Sequence, residues 1–267
     1  MFLYIKVILS LIAMFPLGLF AKNKVLIVAD AGYEPYSYEK EGKPSGLYYE
    51  LLKVIFARMA DFEIEIHTMP WKRALNELKI NKAFAIYPPY ERPIERPWIH
   101  YSDKILEEHI SLFCRKDNPY AKKKKWPDDF KDILVAKNSG FIMGDNFEKA
   151  VKSGYIKTDE GALTSLQNLQ KIKKKYADCY VNDELSIKIA LFQNSLNEDL
   201  TENEKIVKVI DLVTEPTFLG YVKNKSLFPY EEKFIAQFNY QLKLLKTSGE
   251  LEKIYNNFIT NSLTKRK

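Results

Sequence analysis

Apolar positions along this chain recur with two periods that take turns. Lys24 to Ala29 is a short, β-branched apolar run and predicts a buried strand. From Gly46 the apolar residues Leu47, Leu51, Val54 and Ile55 recur at helical spacing up to Met59, and Phe62 to His67 then alternates with period two. Trp71 to Lys79 predicts a second helix and Ala83 to Tyr87 a short strand. Pro88 to Pro97 is too rich in proline for regular helix. A second cycle follows His109, with strands at Ile110 to Cys114, Ile133 to Ala136 and Ala177 to Val181, and a helix at Gly144 to Val151. Phe218 to Val222 predicts a further strand. Two amphipathic helices close the chain, one carrying Phe234, Phe238, Leu242 and Leu245, the other Leu251, Ile254, Tyr255 and Phe258, with Gly249 between them. Alternating strands and helices imply an α/β fold with mostly parallel sheets covered by helices. There is no fixed-period repeat and no low-complexity linker, so the two α/β units are closely joined.

The first 21 residues read differently. Lys6 precedes an apolar run from Val7 to Phe20 that ends at Ala21, followed by the polar Lys22, Asn23 and Lys24, the order of a secretory signal. The run is shorter than the roughly 20 residues a membrane span needs, and Pro16 and Gly18 suit a cleaved signal better than an anchor. The expected product is a soluble periplasmic monomer starting near Lys22. Its charge is mild: 41 basic minus 35 acidic residues gives +6, and losing Lys6 leaves +5. The lysine runs at Lys122 to Lys125 and Lys171 to Lys175 lack interleaved aromatics or glycines, so they read as solvated faces and nucleic acid is excluded as a partner. Cys114 and Cys179 lie in apolar strand-like runs and read equally as one bridge or as two buried thiols. Neither has the spacing of a metal site, and no cofactor motif is present.

Six segments in order resemble the periplasmic solute-binding proteins of family 3, which serve polar amino-acid ABC transporters. They are the YEPYSY loop at Tyr33 to Tyr38 with Gly42 and Gly46 before a helix, MPWKRAL at Met69 to Leu75, and an arginine-bearing stretch closed by Tyr101-Ser102-Asp103. The Asn138-Ser139-Gly140 turn, ADCYVND at Ala177 to Asp183 and SGELEKIYNNFI at Ser248 to Ile259 complete the set. The resemblance implies a periplasmic binding protein-like fold of type II, two α/β lobes joined by a two-strand hinge. Carried onto this chain, it places the crossings near His109 to Leu112 and Thr217 to Leu219. One lobe is then 22–110 with 218–267, and the other 111–217.

The resemblance also implies a site for a small polar, amino acid-like ligand. It sets Asp183 opposite a ligand ammonium, with a helix N-cap as the alternative role for that carboxylate. Asp30, at the end of the first strand, sits where open α/β sheets bind ligands. For a ligand carboxylate the natural partner is arginine. The family's Thr-x-x-Arg element is displaced here: counting back from Tyr101 lands on Glu95, Pro93 stands in the threonine place, and Arg96 is favoured over its rivals Arg92 and Arg73. Tyr33 and Trp71 match aromatic positions that stack on ligands, Tyr87 replaces a small residue near a strand end, and the Ser139-Gly140 turn offers free backbone N–H groups. The partner is an ABC transporter permease or a membrane receptor. An enzyme on this fold, such as a cyclohexadienyl dehydratase, would need a general acid in the cleft, for which Glu91 and Glu95 are the candidates. His67, His100 and His109 are isolated.

Overall fold

The computed structural model describes residues 22–264, and the secretory signal expected over 1–21 lies outside the described residues. In chain order the elements are β1 (Asn23–Asp30), β2 (Gly32–Tyr33), β3 (Ser37–Lys40), β4 (Lys43–Ser45), α1 (Leu47–Ala57), β5 (Phe62–Met69), α2 (Trp71–Lys79), β6 (Ala85–Tyr87) and β7 (His100–Tyr101). Next come β8 (Glu107–Arg115), β9 (Leu134–Asn138), α3 (Asp145–Lys152), β10 (Lys157–Ala162), α4 (Ser165–Lys173), β11 (Cys179–Asp183), α5 (Glu184–Gln193) and β12 (Ile206–Pro216). The chain ends on β13 (Gly220–Tyr221), α6 (Glu231–Thr247) and α7 (Glu250–Thr264).

Two five-stranded sheets result, ordered β5-β1-β6-β13-β7 and β10-β9-β11-β8-β12. They are the centres of two α/β lobes. In each, three strands are parallel, β5-β1-β6 in one and β10-β9-β11 in the other, as the βα alternation predicts. Both sheets are nevertheless mixed and not mostly parallel. β8 and β12 run antiparallel as the chain enters and leaves the second sheet, and β13 joins the first sheet antiparallel on its return. The crossing pair is already in register at Glu107↔Pro216, so residues 107–110 pair within the second sheet.

Helical periodicity explains which faces are covered. On α6, Phe234, Phe238, Leu242 and Leu245 fall on one stripe and are fully buried. Phe234 meets Phe62 and Phe84 edge-on, with ring centroids 5.0 and 5.1 Å apart. The C-terminal helices therefore close the first core, each buried aromatic contributing about 1.5–3 kcal/mol by leaving water. In the second sheet Cys114 and Cys179 are opposite each other on β8 and β11 and form a disulfide, which decides between the two readings of that pair. Some elements escape the periodicity. β12 carries register shifts at Lys208/Ile210 and Asp211/Val213 that break its alternation, and the strand expected over Phe218 to Val222 shrinks to Gly220–Tyr221. α4 opens on a capping box of Thr164 and Gln167 that sequence inspection passed over.

Candidate functional site

The carboxyl ends of the parallel strands in both sheets face each other, the position where open α/β sheets place ligands. From the first lobe come Asp30 at the end of β1, Trp71 at the start of α2, and the loop after β6 with Tyr90, Arg92 and Arg96. From the second come Phe141 and Ile142, just beyond β9. With Tyr33 and Pro88 these residues line a small cavity of about 20 Å³, room for a water molecule until the lobes part to admit a ligand.

The two cavity arginines have different fates. Arg92 grips Glu215 on β12 through both Nη atoms, at 2.6 and 3.1 Å, and also donates to the carbonyls of Glu91 and Ile142. Its charge is balanced inside the protein. Arg96 donates to the carbonyl of Gly140 at 3.2 Å and lies over the Trp71 ring at 5.6 Å. Among the described residues no carboxylate pairs with it, and burial pulls its guanidinium down to about 10. Asp30 is its counterpart. It accepts from the Gly32 N–H at 2.9 Å, has no cationic partner among the described residues, and is pushed up to about 7 by burial. Aromatic rings build the remaining wall: Phe141 stands edge-on to Tyr33 at 5.2 Å and to Trp71 at 6.3 Å.

A buried anion, a buried cation and aromatic walls between two α/β lobes make a site for a small polar solute. Residues 25–261 match the bacterial extracellular solute-binding proteins, family 3. The chain belongs to that family. It is similar to the arginine-binding extracellular protein ArtP of Bacillus subtilis (strain 168), with 22% identity over 241 residues, 90% of this chain and 87% of ArtP. In fold it is similar to a histidine kinase sensor domain with similarity to periplasmic binding proteins, at TM-score 0.73 and 18% identity over 89% of this chain and 96% of that one. An ancestral arginine-binding protein bound to arginine matches at TM-score 0.70 and 20% identity, over 89% of this chain and 98% of that one.

As a member of the family this solute-binding protein captures a small polar ligand, and not every residue expected in its site lies on the cavity wall. Asp183 is spent on structure: its two oxygens accept from the Ser186 N–H at 2.9 Å, as the N-cap of α5, and from the His109 N–H at 3.0 Å. Arg73 is exposed on α2. Tyr87 is fully buried within β6, and its hydroxyl has no partner among the described residues. The backbone N–H groups of the Ser139-Gly140 turn are not free, because Ser139 donates to the Ala162 carbonyl and Gly140 to Glu160. Ser139 lines a neighbouring recess with Asp30, Trp71 and Phe141.

Sequence reasoning also missed residues. Tyr90 and Phe141 follow a Pro-Pro pair and the Asn-Ser-Gly turn, the one available hint that they sit on loops at strand ends. Glu108 gave no hint. It is fully buried on β8 and receives the hydroxyls of Tyr33, Tyr48 (2.7 Å) and Tyr90 (2.6 Å). Burial and the nearby Asp183 push it up to about 8, against the lowering effect of those hydroxyls. Glu91 and Glu95 are exposed outside the cavity. Among the described residues no cluster could hold a metal ion, and no helix is long and apolar enough to cross a membrane.

Proposed function

We propose that this chain is a periplasmic receptor for an amino acid, whose carboxylate pairs with Arg96 and whose amine pairs with Asp30. The observation that carries this reading is the presence of these two buried, oppositely charged groups in one cavity, neither of them in an ion pair among the described residues. Burying a charge unpaired is costly, so a ligand that brings both complements gains binding energy from each end. Tyr33, Trp71 and Phe141 supply apolar area for the carbon skeleton. Arginine is the first compound to try, because ArtP is named as arginine-binding and the aromatic wall suits a planar cation.

The reading extends to the rest of the molecule. Residues 22–110 with 218–267 form one lobe and 111–217 the other, and ligand closes them. The mature chain is a monomer, exported by cleavage after Ala21, that delivers its ligand to an ABC transporter. Glu91 and Glu95, the acids named for an enzyme on this fold, are exposed away from the cavity. Calorimetric titration of purified mature protein with the twenty amino acids tests the proposal. Saturable binding of at least one, with compaction in small-angle scattering, supports it; no binding by any of them overturns it.

A further inference from the structure

Glu108 sits where no sequence pattern asks for a buried carboxylate, and its surroundings tie it to the cavity. Oε2 receives both the Tyr33 and Tyr90 hydroxyls, and Oε1 receives Tyr48. Tyr33 and Tyr90 line the cavity, and their hydroxyl oxygens are 3.2 Å apart. The three tyrosines lie on β2, on α1 and in the loop after β6, around the first sheet, whereas Glu108 is the second residue of β8, a strand of the second sheet. The groups facing the cluster are Asp183 at the start of α5, Tyr36 beside it, Tyr255 from α7, Thr217 bonded to Tyr48, and Glu215, opposite Glu108 on β12 and neutralised by Arg92.

We propose that Glu108 is a positioning residue for the ligand cavity: by accepting the Tyr33 and Tyr90 hydroxyl protons it holds both rings in the wall that ligand meets. This rests on reading the cavity as the ligand site. An ionised carboxylate only accepts, so three hydroxyl donors satisfy it and all three point inward. A carboxylic acid must itself donate one hydrogen bond. Protonation at Oε2 therefore obliges Tyr33 or Tyr90 to accept instead, releasing its own proton to turn toward the cavity. The wall presents a different hydrogen-bonding face in the two states. Phe141 edge-on to Tyr33, and Trp71 beyond it, carry any displacement of the ring to the surface on which Arg96 stacks.

Two readouts on wild type, Glu108→Gln and Glu108→Ala test this. The first needs no ligand: in protein with carbon-13-labelled tyrosine rings, the Tyr33 and Tyr90 signals are assigned by their loss in Tyr33→Phe and Tyr90→Phe. They are expected to move between pH 6 and 9 in wild type, to stay nearly fixed in Glu108→Gln, and to be displaced at every pH in Glu108→Ala. The second is titration with L-arginine at pH 6.5 and 8.5. Wild type is expected to bind more tightly at the higher pH by about threefold or more, Glu108→Gln to keep only the part of that dependence that Asp30, titrating near 7 in the same cavity, contributes, and Glu108→Ala to bind at least about tenfold more weakly at both. Ring signals that titrate alike in wild type and Glu108→Gln, or are unmoved in Glu108→Ala, overturn the proposal. If L-arginine fails to bind wild type, the ligand reading fails, while the ring signals still decide the role of Glu108.

Discussion

Arg92 and Glu215 meet across the junction of the two sheets with side chains only 6% and 9% exposed, the guanidinium spanning both carboxylate oxygens. A two-pronged pair of this kind is held by geometry as well as by charge. It takes one of the two cavity arginines out of competition for ligand. Removing Glu215 leaves the other charge buried and alone, so Glu215→Ala is expected to cost roughly 3–5 kcal/mol of stability. Replacing both residues with apolar ones should recover most of the loss, because the cost lies in the orphaned charge. Denaturant unfolding of the two single variants and the double variant measures this directly.

Arg96 is expected to behave in the opposite way. Among the described residues it touches only the Gly140 carbonyl and the face of Trp71, and no ion pair depends on it, so Arg96→Ala should shift the unfolding midpoint far less than Glu215→Ala. The bound ligand carboxylate would lose its partner, and affinity should fall by roughly 2–5 kcal/mol. Asp30→Asn should weaken binding of a cationic ligand comparably. Calorimetry with the identified ligand, beside thermal melts of the same samples, separates these binding losses from the folding loss of Glu215→Ala.

Asp183 separates the family-derived expectation from the observed geometry. Its oxygens cap α5 and hold the His109 N–H. Asp183→Ala is therefore expected to lower stability by roughly 0.5–2 kcal/mol, the usual worth of an N-cap, while ligand affinity changes far less than in Asp30→Asn. A loss of affinity greater than that of Asp30→Asn, with stability intact, would return the ligand amine to Asp183.

How far the sequence reaches can be read from these residues. Asp30, Tyr33, Trp71, Arg92 and Arg96 were legible because each lies at a strand end or in the loop after one, and local chain geometry alone sends such positions to the cleft. The division of labour between the arginines was not legible, since Glu215 is 123 residues from Arg92 and lies in an irregular strand. Glu108 is a stronger case. Its three hydroxyl partners come from 75, 60 and 18 residues away, and in isolation the segment Glu107-Glu108-His109 reads as a solvated strand entry. Only the tertiary contact of β8 with Tyr33, Tyr48 and Tyr90 makes it interior.

Buried carboxylates also fix the pH profile of stability. Glu108, Asp30 and Asp183 are pushed up to about 8, 7 and 6, each chiefly by burial. Folded chains hold these protons more tightly than unfolded ones, whose carboxyls titrate near pH 4, so their contribution is complete below about pH 4, declines from there, and is lost by about pH 6 for Asp183, 7 for Asp30 and 8 for Glu108. Each group can cost up to roughly 1.4 kcal/mol per pH unit in its own window. The salt-bridged Asp117, held down to about 2 by Arg115, acts in the opposite sense below pH 4. Thermal stability without ligand should therefore peak near pH 4, fall most steeply between about pH 4 and 6 where all three groups contribute, and level off above about pH 8. Calorimetric melts across that range check it, and Glu108→Gln should flatten the alkaline part of the decline.

Closure itself can be tested without touching a charged group. Gly32 on β2 approaches the second lobe so closely that an added Cβ would stand 3.0 Å from the Leu163 carbonyl oxygen and 3.3 Å from the Thr164 methyl. Its backbone is extended, a conformation open to any residue, so a side chain there meets steric trouble only where the lobes touch. Alanine requires a shift of a few tenths of an ångström; valine adds two methyl groups against backbone that cannot swing away. Gly32→Val is therefore expected to favour the open arrangement and to lower ligand affinity by about tenfold or more, with Gly32→Ala intermediate. β-branched residues suit a strand, so neither variant should lose much stability. Ligand-induced compaction in small-angle scattering should need higher ligand concentration in the order wild type, Gly32→Ala, Gly32→Val. If Gly32→Val binds and compacts like wild type, the contact between Gly32 and Leu163 does not form on closure, and the ligand is held without bringing these two edges together.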